Sequence, residues 1–67
     1  MERENTIRDV NVRIENLAKL QPQYQLQKAE EFNAIKKGIS DTIRENGINT
    51  RKELDPHVYN LYRRYFD

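Results

Sequence analysis

The sequence predicts an all-α fold: one small three-helix domain over residues 1–67, built as a long antiparallel helical hairpin plus a short C-terminal helix, with an extra turn near 51–54. Three observations predict it. Apolar residues recur at spacings of three and four, the period of a helix. Pro22 and the pair Asn46-Gly47 punctuate the chain where helices should stop. The flanks of Asn46-Gly47, Ile43 to Glu45 and Asn49 to Glu53, lack the period-two alternation that a hairpin would need, so that dipeptide ends a helix.

The first helix carries Ile7, Val10, Ile14 and Leu17 as a narrow apolar seam. Thr6 followed by Asp9 resembles a capping box, and Glu4/Arg8, Asp9/Arg13 and Glu15/Lys19 are acid-first pairs one turn apart. Pro22 disfavours helical geometry at Gln21, so this helix should end near Leu20. The Gln-rich stretch from Gln21 to Gln27 then reads as a connector whose proline opens the next helix.

The second helix is expected to run unbroken from about Pro22 to Asn46, with Tyr24, Phe32, Ile35, Ile39 and Ile43 on one stripe. Gly38 is the one place where a kink is foreseen, because glycine costs about 1 kcal/mol against alanine in a helix interior. At roughly 36 Å this helix would overhang the first, at roughly 22 Å. Its end is well marked. Asn46 should be the C-cap, Gly47 the left-handed residue after it, and Ile48 should fold back towards Ile43.

Thr50 with Glu53 has the capping-box spacing and opens a short turn through Leu54. Asp55-Pro56 reads as an N-cap followed by proline at the first helical position. The last helix should run to about Tyr65, with Val58, Leu61, Tyr62 and Tyr65 on its inner face and Tyr59 and Phe66 beside it. That apolar arc is wider than either of the others.

Composition limits function. The chain has 67 residues, 36% hydrophobic and 34% charged, with no cysteine and one histidine. Below about 70–80 residues a single core seldom supplies more than about 3–5 kcal/mol, and disulfides, a metal or a partner subunit usually make up the rest. Here disulfides are excluded and a metal nearly so. A partner protein or a second copy of the chain is left. No apolar run approaches the ~20 residues of a membrane span, and Met1 to Arg8 lacks a signal core, so a cytoplasmic protein without a membrane partner is expected. The net charge is +1, spread evenly, so no basic arm or acidic tail stands out.

Catalytic chemistry finds no footing. His57 has only Asp55 and Asn60 near it in sequence, not the nitrogen or thiolate ligands that zinc needs. At the second position of a helix it reads as an exposed start residue. A nucleophilic triad would have to draw on Ser40, His57 and an aspartate with no strand-turn-helix elbow and no glycine-rich loop. Gly38 and Gly47 are too far apart to cradle a phosphate. Glu30 and Glu31 are adjacent and point in different directions on a helix. The expectation is therefore no enzyme, no cofactor, no metal and no small-molecule substrate.

The run from His57 to Phe66 rises above this background, since Tyr and Arg are the residue types enriched at binding hot spots. A core can take Val58, Leu61, Tyr62 and Tyr65. It cannot easily absorb the second flank as well, so Tyr59, Tyr62, Arg63, Arg64 and Phe66 are the candidate partner-binding residues. The expected function is a protein–protein interaction module: a small regulator, inhibitor or assembly subunit acting through a helix face on another protein or on its own copy. The alternative is nucleic-acid binding, with Arg51, Lys52, Arg63 and Arg64 on phosphates and tyrosines stacked on bases. A helix-turn-helix laid over residues 39–58 fits poorly, because Pro56 would interrupt the recognition helix. Compactness without chemistry would suit a small regulator of a virus or mobile element, an analogy from size alone.

Overall fold

The computed structural model describes residues 2–66, and in it the chain is a bundle of five helical segments without strands among those residues. They are α1 (Glu2–Ala18), α2 (Pro22–Gln27), α3 (Ala29–Glu45), α4 (Thr50–Glu53) and α5 (Pro56–Phe66). The predicted all-α class, helical hairpin and short crossing helix are all present. α1 is the central element, packed against α3 on one side and α5 on the other.

The core is one cluster: Val10, Ile14 and Leu17 of α1, Phe32, Ile39 and Ile43 of α3, Ile48 and Leu54 from the connections, and Val58 of α5. Val10, Ile14, Ile39 and Val58 lose all their exposed surface. The seams read from the sequence are therefore the seams used. Ile35 is the exception on α3, lying at the margin with 39% of its surface exposed.

The second helix is not continuous. Its break falls at Lys28, where φ −123° and ψ 46° leave the helical region, and α3 runs straight through Gly38. The turn at Lys28 lets Tyr24 pack on the edge of the core while Phe32, Ile39 and Ile43 are buried. It also removes the overhang, since α1 and α3 are each 17 residues long. Gly38 has a different use. A Cβ there would stand 3.2 Å from Nη2 of Arg13. Its absence lets the Arg13 guanidinium pass to Thr42 Oγ1 at 3.1 Å, which donates back to the Gly38 carbonyl.

Thr6 does not cap α1, which starts earlier, at Glu2. The first turn is held from outside. Arg3 donates to the Asn46 carbonyl at 2.8 Å, to the Gly47 carbonyl at 3.3 Å and to both carboxylate oxygens of Glu53 at 2.8 and 3.0 Å. Of the three acid-first pairs, only Asp9–Arg13 approaches, at 3.8 Å, and Glu15 instead meets His57 at 2.9 Å, tying α1 to the start of α5. Asn11, the one buried polar residue among those described, accepts from the Asp55 N–H at 3.2 Å in the loop before α5.

α3 ends as its sequence predicts. Gly47 adopts φ 60°, Ile48 N–H bonds the Ile43 carbonyl at 3.0 Å and Gly47 N–H bonds the Arg44 carbonyl at 3.2 Å, the paired closure of a Schellman motif. The cap of α4 is one residue earlier than predicted. Asn49, not Thr50, accepts from the N–H groups of Arg51 and Lys52, and the Asn49 N–H in turn donates to the Glu53 carboxylate at 2.6 Å. Asn reaches the second and third amides of a helix as well as Thr does, so the register is settled by where Gly47 releases the chain.

Two outcomes follow for stability. Nothing lies within 4 Å of a Cβ at Gly47, so Gly47→Ala tests backbone strain alone; urea unfolding should show a loss of about 1–2 kcal/mol. The Arg3 guanidinium, and then the Asn49 N–H, hold the Glu53 carboxyl below its ordinary value of 4.5. Its stabilising effect is thus present above pH 4.5 and lost as pH falls through the folded value. Glu53→Gln should flatten that acid limb of the stability–pH curve while lowering stability at neutral pH.

Candidate functional site

α5 is placed by both of its ends. The N-terminal end is fixed to α1 by the Asn11–Asp55 and Glu15–His57 contacts. Val58, one turn in, is fully buried. The C-terminal end reaches the first turns of α3, where Tyr65 meets Phe32 edge-on with centroids 6.2 Å apart and planes at 72°.

Beside that contact, Tyr62 stacks on Phe66 at 4.8 Å with planes 15° apart. The ammonium of Lys36 stands 5.8 Å from the ring centroids of both Phe32 and Phe66. A ring's negative face attracts a cation there, so Lys36 joins α3 to the last turn of α5 without a carboxylate. The spacing Phe32/Lys36 is visible in the sequence as a pair one turn apart. Its extension to Phe66 is not.

The division of α5 into an inner and an outer flank is softer than predicted. Only Val58 is buried; Leu61, Tyr62 and Tyr65 are half-buried, and Tyr59 and Phe66, expected to lie beyond the core's reach, are half-buried against it too. Arg63 and Arg64 remain exposed. The surface brings together Tyr59, Tyr62, Arg63 and Phe66, with Arg64 on the other side of the same helix and Lys36 added from α3.

Arg51 and Lys52 are elsewhere. They are exposed on α4, which follows the C-terminal end of α3, whereas Arg63 and Arg64 follow the line of α5 towards Phe32 near the other end. The length of α3 between those ends is roughly 20 Å at 1.5 Å per residue. The four basic residues do not form one patch.

His57 is exposed, with 66% of its side chain accessible, and its Nε2 meets Glu15 Oε1 at 2.9 Å. Among the described residues no group of three or more His, Asp or Glu is arranged to hold a metal. The surface clefts are shallow and open. One between α1 and α3, of about 190 Å³, has a mainly apolar wall of Leu17, Leu20 and Ile35 with Arg13 and Asn16.

The contribution of each α5 side chain to the core is measurable. Phe66→Ala should cost about 1–2 kcal/mol, since it removes a stacked ring pair and the Lys36 contact as well as half-buried area. Arg64→Ala, at an exposed position, should change stability by less than about 0.5 kcal/mol in the same urea titration. No protein-family model, curated protein or solved structure matches this chain.

Proposed function

We propose that the chain is a non-enzymatic protein–protein interaction module, a small regulator, inhibitor or assembly subunit, that docks through α5 using Tyr59, Tyr62, Arg63 and Phe66, with Arg64 outside that face on the other side of the helix. The observation that carries this reading is the make-up of α5. It has no carboxylate from Pro56 to Phe66, two exposed arginines, and a row of half-buried aromatics. Rings anchored in a core and flanked by arginine offer large contact area at little entropic cost.

Protein is favoured over nucleic acid by the state of the rings. Tyr62 and Phe66 each spend a face on the other, and Lys36 stands over Phe66, so little is left for a stacked base. The separation of Arg51 and Lys52 from Arg63 and Arg64 points the same way, because a phosphate track needs a continuous basic stripe. No helix here is long and apolar enough to cross a membrane. We place the action in the cytoplasm, where a chain without cysteine loses nothing in a reducing medium.

A tagged chain, used as bait in extract of its own cells with and without nuclease, tests the reading. A protein should be retained in both conditions. Tyr59→Ala and Arg63→Ala should reduce its retention at least tenfold while helical circular dichroism stays unchanged. Retention that nuclease abolishes would overturn the reading in favour of nucleic acid, and so would retention indifferent to both substitutions.

A further inference from the structure

The turn at Lys28 is the one interruption between helices that no residue type accounts for. From Gln23 to Ala29 the chain reads Gln-Tyr-Gln-Leu-Gln-Lys-Ala, without proline, glycine or a β-branched residue, and most of these are strong helix formers. The break is also narrow. Lys28 N–H bonds the Tyr24 carbonyl at 2.8 Å and Phe32 N–H bonds the Lys28 carbonyl at 2.9 Å, both in the four-residue register of a helix. α3 nonetheless starts without a side-chain cap. A straight helix would give the N–H groups of Ala29, Glu30 and Glu31 the carbonyls of Gln25, Leu26 and Gln27.

Little holds the bend. α2 is six residues long, too short to persist by itself, and buries none of its side chains. Its anchors are the Tyr24 ring at the margin of the core, Tyr24 Oη donating to Glu31 Oε2 at 3.0 Å, and Gln25 Nε2 donating to the Leu20 carbonyl at 3.2 Å. So held, α2 lies against the end of α1, where Gln23, Tyr24 and Gln27 share a depression with Lys19 and Leu20.

We propose that α2 is a hinged strap: the chain exchanges between this bent state and a straight one in which residues 22–45 form a single helix, with Lys28 as the hinge. The trade is local. Straightening adds backbone bonds at the start of α3 and gives up the Tyr24 and Gln25 anchors, so neither state holds a large advantage. It carries α2 away from α1 and uncovers Leu20 and Tyr24, both half-buried under the strap. The connector Lys19 to Gln21 must extend as the strap swings out, which keeps the straight state the minor one. None of these residues belongs to the α5 surface, so the hinge and the docking reading stand or fall separately.

A distance measurement within the full chain tests the hinge. The sequence has no cysteine, so Gln23→Cys with Lys37→Cys places one spin label on α2 and one on α3, both at exposed positions. A straight helix sets those two backbone positions about 21 Å apart, and the bend brings them closer. Double electron–electron resonance should resolve two distances, the longer one in the minority. Tyr24→Ala should raise its share about fivefold, the hold of a hydrogen bond and a half-buried ring. Inserting two glycines after Leu20 should raise it as well, by slackening the connector. Ala29→Pro should abolish it, since proline is accepted at the first position of α3 but its ring would collide with the Gln25 carbonyl in a straight helix. A single short distance in the chain and in its Tyr24→Ala form, a broad spread marking a melted α2, or a long distance that survives Ala29→Pro would overturn the proposal.

Discussion

The reversal at Gly47 is the constraint on which the second half of the molecule depends, because a helix end leaves carbonyls that must find donors. With φ at 60° the chain turns back and two of its own N–H groups close on Ile43 and Arg44. Ile48 drops into the core, and Asn49 is delivered where it can cap α4. The carbonyls of Asn46 and Gly47 are left over, and the Arg3 guanidinium takes both. A cation at the negative end of the α3 dipole, bridged to Glu53, joins the first turn of the chain to the place where its direction changes.

α1 then serves two neighbours with different chemistry on its two flanks. Towards α3 it presents Arg13, accommodated by the missing side chain of Gly38. Towards α5 it presents Asn11 and Glu15, which hold the loop and the first turn of that helix. A core this small cannot orient its helices by volume alone. The polar contacts at its margins join α1 to the loop and first turn of α5 as that helix crosses.

That crossing explains why the candidate surface is amphipathic along its length. Val58 is buried at one end of α5, while at the other the rings of Tyr62, Tyr65 and Phe66 share a margin with Phe32 and the Lys36 ammonium. Core and contact surface are one continuous set of side chains. Rings held this way keep their orientation before a partner arrives, which lowers the entropic cost of association. The exposed Leu26 on α2 is the opposite case, an apolar group that the fold itself leaves in water.

Local patterning was enough for the elements themselves. The three- and four-residue spacing of Val10, Ile14, Leu17, Phe32, Ile39 and Ile43, the prolines at helix starts, and Asn46-Gly47 at a helix end act within a turn or two of chain, so the sequence by itself determined the all-α class, the seams and the Schellman closure. It could also mark α5 as the unusual surface, through residue type. What it could not supply was any contact between residues thirty or more positions apart. Arg3 with Glu53, Asn11 with Asp55, Glu15 with His57 and Lys36 with Phe66 have no periodic signature, since they exist only once helices have packed. The same holds for the break at Lys28, where each residue alone favours a helix and the chain nonetheless leaves helical geometry, so that α3 matches α1 in length. Tertiary structure therefore decided the partners of the charges, the length of the hairpin arms and how far Tyr59 and Phe66 are covered, because burial is a property of what lies opposite a side chain rather than of the side chain itself.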